Sequence, residues 1–188
     1  MNWLIVGIAG FLGIHSIAIV APGWRARTVA GIGAMRWKAL YSIASLAAFA
    51  TMLHGYGQAR LAPEVVYVPT LGMRHLAFLL MLPVFPLLLS AYLPGRLRNA
   101  VGHPMLTATI LWAVAHLLAN GARSDLVLFG GFLLWAVADR VSVSRRDAPP
   151  ARRGRPLNDA IAIGGGLLLY VAFVAFGHGA LVGVPLYG

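Results

Sequence analysis

The chain has 188 residues, of which 60% are hydrophobic and 11% charged, with a formal net charge of +10 and no cysteine. Apolar content this high, arranged in membrane-length runs, excludes an ordinary soluble domain, and the missing thiols exclude disulfides and every thiolate-bound metal. The positive charge does not mark a nucleic-acid binder, because most Lys and Arg lie in connectors between apolar runs, as membrane topology requires.

Six transmembrane spans are expected in an all-α polytopic bundle that fills residues 1–188 as a single domain. In chain order they cover residues 3–21, 38–56, 73–93, 104–119, 126–141 and 160–182. Each is near the ~20 residues needed to cross a ~30 Å hydrocarbon core, with the fourth and fifth on the short side. The first span lacks a positive n-region and a small-residue cleavage site, so it reads as a retained helix rather than a signal peptide.

The connectors after spans one, three and five carry Arg25, Arg27, Arg36 and Lys38; then Arg96 and Arg98; then Arg140, Arg145, Arg146, Arg152, Arg153 and Arg155. The other two connectors hold only Arg60, Arg74 and Arg123. The positive-inside rule places the richer set in the cytoplasm and both termini outside, with anionic lipid headgroups as the electrostatic partner.

Within the spans, Pro83 and Pro86 predict a kink in span three. Pro104 suits a first helical turn, which puts His103 near the cap. Asn120 and Gly121 end span four, and Ser124 or Asp125 can cap span five. The connector 144–156 reads as a Pro- and Arg-rich loop. Gly164–Gly166 and Gly177 predict close helix approach in span six.

The six histidines are His15, His54, His75, His103, His116 and His178. His116 lies deep in an apolar span, and Trp112 and Asn120, four residues to either side, share its face. An ionisable side chain in hydrocarbon is costly and usually has a partner, and neutral imidazole is a metal ligand. The plainer reading of each histidine is a bond to a carbonyl or to interfacial water. His103 and His116 are separated by ~220° around an ideal helix and cannot share one face. No HExxH, CxxCH, Walker loop or GxGxxG with a following acid is present, and Ser16 has no nearby Asp to make it a nucleophile.

Several stretches together are similar to the NnrU family of bacterial membrane proteins: His15-Ser16, WKALYSIAS from Trp37, HGYGQAR from His54, Arg74-His75, Met81-Leu82-Pro83, AYLPGR, GHPML, LWAVAHLLANG, LFGGFLLWAVADR and the basic loop. The resemblance implies a multi-pass protein of the bacterial inner membrane, in a family associated with nitrite and nitric oxide reduction. A related enzyme, 15-cis-zeta-carotene isomerase, shares the His-Ser and the His-Pro…Ala-His spacing and resembles a histidine-ligated haem b protein. Its ligand positions map onto His15 and His116. Where it carries a cysteine three residues before the second histidine, this chain has Ala113, so a switch to thiolate ligation is closed. The His-Pro start also resembles isoprenylcysteine and phospholipid methyltransferases, but Gly102 replaces their arginine and their acidic, tyrosine-rich segment is absent.

The resemblance therefore implies haem b between helices one and four, on His15 and His116, with Trp112 packed on the porphyrin, Asn120 orienting His116, and His103 counted among the cofactor-binding residues. Counted at 1.5 Å per residue, His15 and His116 sit at depths on the order of 10 Å apart, which tilt of the helices and of the haem can absorb. His54 and His75 match the depth of His116 better and stand as alternative ligands. The function implied is redox or nitric-oxide-linked. The rivals are a haem-dependent isomerase of a lipophilic polyene that enters from the bilayer, and a haem-free membrane assembly factor.

Overall fold

The structure, a computed structural model, describes residues 1–145, 154–184 and 186 and is helical almost throughout. The chain forms two compact units, one of residues 1–69 with 120–142 and one of residues 70–119 with 143–188.

The first unit contains α1 (Asn2–Val20), α2 (Pro22–Ile32), α3 (Ala34–Leu61) and most of α8 (Arg123–Ser144). Glycine brings α1 and α3 together. A Cβ on Gly7 would stand 2.7 Å from Met52 Cβ, and one on Gly55 would stand 2.6 Å from Leu4 Cα. Small residues allow such close approach, and dispersion between the backbones replaces the hydrophobic drive that lipid removes. Leu4 is fully buried at this crossing, and Met52 is nearly so. α8 joins through Gly131, which packs at Ile8 of α1.

The basic connector after the first span is itself structured. Pro22 opens α2 at its first position, where a missing N–H costs nothing. Gly33, at φ +87, ends α2 and admits the turn into α3.

The second unit contains α4 (Leu71–Met81), α5 (Val84–Ser90), α6 (Arg96–Val101), α7 (Pro104–Ala119), α9 (Pro156–Ala172), a π-helical turn (Phe173–Gly177) and α10 (His178–Val182). The expected proline kink separates α4 from α5. Pro83 has no N–H to give, the Leu82 N–H turns to the Leu79 carbonyl, and the Tyr170 hydroxyl donates to the Phe78 carbonyl at 3.0 Å. The close approach expected of Gly164–Gly166 falls on Gly166, where a Cβ would meet Pro86 Cδ at 2.7 Å. Val84, Leu87 and Ala108 form the buried core, with Met81, Leu111 and Trp112 packed around it. The Asp159 carboxylate accepts from the Arg96 and Leu97 N–H groups at 2.9 and 3.0 Å, which caps the start of α6.

Among the described residues, four helical stretches are long and apolar enough to cross a membrane: Asn2–Val20, Leu71–Ser90, Arg123–Ser144 and Pro156–Val182. Pro104–Ala119 is apolar but has 16 residues. α3 has 28 residues, but Tyr41, Ser42, Ser45, Thr51, His54 and Tyr56 lower the hydropathy of its uncharged stretch, so it is not among the four. The helix boundaries at Pro104 and Ala119 are as expected. Part of the connector 144–156 lies outside the described residues.

Candidate functional site

In the first unit, α1, α2 and α3 line a cleft of about 440 Å³. Its walls include His15 from α1, Arg25 from α2, and Trp37, Lys38, Tyr41 and Ser42 from α3. One feature of local sequence explains the grouping. Trp37 and Tyr41 are four residues apart and share a helix face, and their rings stand 6.3 Å apart. Trp24 of α2 meets Trp37 edge-on at 5.8 Å, which ties the short helix to the long one.

His15 is held on three sides by aromatic rings. It stacks on Phe11 at 4.2 Å and meets Tyr41 and Trp135 edge-on at 5.3 and 6.0 Å. Its Nδ1 lies 2.7 Å from the Phe11 carbonyl. A carbonyl only accepts, so the neutral ring carries its proton on Nδ1 and donates it there. Nε2 then holds the lone pair, which is the arrangement of a metal-ligating imidazole. The Trp135 indole N–H is buried without a hydrogen-bond partner among the described residues. The Ser16 hydroxyl donates to the Leu12 carbonyl of its own helix at 2.7 Å.

In the second unit, His116 repeats the pattern, with Nδ1 2.8 Å from the Trp112 carbonyl. Its ring is 5.1 Å from the Trp112 ring, as the shared face requires. Ala113 is fully buried. His103 precedes the first turn of α7: its carbonyl accepts from the Thr107 N–H and hydroxyl, and its N–H donates to Val101. Asn120 belongs to the first unit, where its carbonyl accepts from the Tyr67 hydroxyl at 2.8 Å. His54 is exposed and lines a separate cleft of about 410 Å³ with Trp3 and Thr51. His75 is exposed on α4. His178 opens α10, with Nδ1 2.7 Å from the Val184 carbonyl. Among the described residues no three His, Asp or Glu side chains gather to hold a bare metal ion. A porphyrin iron asks less of the protein, one or two axial ligands.

A second polar cluster in the first unit joins the far end of α3 to the start of α8. The Tyr56 hydroxyl donates to Asp125 Oδ1 at 2.6 Å, and the Ala122 N–H donates to Asp125 Oδ2 at 3.1 Å. The Gly121 carbonyl accepts from Val66 and Tyr67, and a Cβ on Gly121 would meet the Tyr67 carbonyl carbon at 2.8 Å. Arg123 pairs with Glu64 at 3.0 Å on the surface. Burial, then the Asp125 carboxylate, pushes the Tyr67 phenol above its ordinary value.

Arg25, Trp37, Lys38, Tyr41 and Trp135 are not among the site residues expected from sequence. The signal for the first four was present: two aromatics at i and i+4 flank a lysine just beyond a basic connector. α8 begins at Arg123, before the expected cap, so Asp125 lies inside its first turn and its carboxylate reaches back to the Ala122 N–H, while the Ser124 hydroxyl is buried without a partner among the described residues.

A family model described as NnrU protein matches residues 3–186. No curated protein and no solved structure matches the chain.

Proposed function

The chain belongs to the NnrU family, and we propose that it is a six-span inner-membrane protein that holds haem b on His15 in the α1–α2–α3 cleft and serves a redox or nitric-oxide-linked role. One observation supports the reading most: the Nδ1 bond of His15 to the Phe11 carbonyl leaves the Nε2 lone pair available for ligation in a residue that lines an amphipathic cleft.

The residues present fit the group. Trp37, Tyr41 and Ile17 offer apolar and aromatic surface, and Arg25 and Lys38 offer cations. When bound, haem supplies an iron that exchanges one electron and takes a diatomic such as nitric oxide. The chain's residues do the rest. The Phe11 carbonyl fixes the His15 tautomer. Phe11, Tyr41 and Trp135 hold the ring plane, and the apolar walls lower the local dielectric.

Two observations support α3 as a further span beyond the four. Residues 39–59 of α3 contain no Lys, Arg, Asp or Glu and reach about 31 Å at 1.5 Å per residue. Leu40, Ile43, Leu46, Phe49 and Leu53 form an exposed apolar stripe along that stretch, which suits lipid. The richer cationic connectors then lie inside.

The test is spectroscopic. Membranes from cells expressing the chain with ample haem supply are reduced and exposed to nitric oxide. A b-type reduced spectrum that shifts on nitric oxide addition supports the reading. No haem above the control membranes overturns it and favours the haem-free assembly factor. A separate His116→Ala spectrum tests the second histidine that the family resemblance nominates.

A further inference from the structure

We propose that Arg25 and Lys38 receive the two propionate carboxylates of the porphyrin and so fix which edge of the ring enters the cleft; this rests on the haem reading above. The argument begins with charge. Both cations line the same cleft as His15, and neither has an ion-pair partner among the described residues, where the one pair is Arg123 with Glu64. They come from different helices, α2 and α3, so they flank the cleft rather than stack along one face. Both are exposed, whereas His15 is packed among Phe11, Tyr41 and Trp135. The lining thus combines a ligand nitrogen, the rings of Trp37 and Tyr41, and two solvated cations.

The complement of that lining is an amphiphile with a flat apolar body and two acidic groups on one edge, which describes protoporphyrin. Arg and Lys also snorkel, keeping their heads in water while their stems cover apolar surface, so the acidic edge of the ring stays hydrated. The guanidinium of Arg25 suits a carboxylate bidentately, and the ammonium of Lys38 acts as a point charge.

The experiment titrates the full chain, in nanodiscs of zwitterionic lipid, with ferric protoporphyrin and with its dimethyl ester, following the Soret band. Wild type is expected to bind the diacid about tenfold more tightly than the diester, the order of magnitude of two solvent-exposed charge pairs. Arg25→Leu with Lys38→Met is expected to bind both equally, and Arg25→Lys with Lys38→Arg to keep the preference. The charge-conserving variant also guards against reading misfolding as lost binding. Equal binding of diacid and diester by wild type overturns the proposal while leaving the haem reading intact. Binding of neither porphyrin overturns both. In parallel nanodiscs that contain phosphatidylglycerol, a neutral variant that loses association with that lipid yet keeps its diacid preference shows that the cations hold acidic lipid, and the proposal is overturned.

Discussion

Gly55→Ala tests the packing that sets α1 against α3, and with it the position of His15 over Tyr41. The new Cβ would stand 2.6 Å from Leu4 Cα and close to the Trp3 carbonyl carbon, so its obstacle is backbone, and no rotamer change relieves it. Overpacking of this kind costs typically 1–3 kcal/mol, and a backbone neighbour puts it near the upper end. Replacing a mid-helix glycine by alanine returns about 1 kcal/mol of helix propensity. The net loss is about 2 kcal/mol, or about 4–8 °C in thermal midpoint for a chain of this size. The control is Gly57→Ala two residues on, whose Cβ would meet nothing within 4 Å and which gains propensity without a clash. Thermal unfolding of both variants in one detergent, followed by circular dichroism, separates them. A Gly55→Ala midpoint equal to or above that of Gly57→Ala would refute the crossing as described.

Three further outcomes are expected. Tyr56→Phe leaves Asp125 Oδ1 without the donor now 2.6 Å away and is expected to cost about 1–3 kcal/mol, read as a lowered midpoint, with Asp125→Ala costing more because the Ala122 N–H also loses its acceptor. Tyr67 has a folded-state pKa raised above 10.0, so its contribution is fully present below about pH 10 and is lost as pH rises through the folded value. Unfolding midpoints measured from pH 9 upward are expected to fall, and Tyr67→Phe to fall less steeply; equal slopes would contradict the assignment.

Much of the helical layout was legible because its causes are local. Apolar runs gave the helices, Pro104 and Asn120-Gly121 marked the ends of α7, and Pro83 with Pro86 marked the break between α4 and α5. The close approach at Gly166 followed from small residues in an apolar run. The connector holding α2 was read only as a charged link, since its charges obscure any apolar period, although Pro22 and Gly33 are start and stop signals at its ends. The Tyr56–Asp125 bond joins residues 69 apart, and no local pattern announces it. The cleft escaped for the same reason: His15, Arg25 and Lys38 come from three helices, and only their packing shows that they share a wall. For the Tyr56 bond the hint was Asp125 itself, one of five acidic residues, placed at the start of an apolar run; for the cleft it was the Trp37-Lys38 and Tyr41 spacing beyond a basic connector.

The most direct test of the central claim is haem content per chain in purified wild type and His15→Ala, with oxidised and reduced spectra recorded at matched thermal stability. The account predicts near one b-type haem per wild-type chain, and loss or a marked band shift in His15→Ala. A folded wild-type chain with no Soret band under ample haem supply, or an unchanged spectrum in His15→Ala, would contradict it.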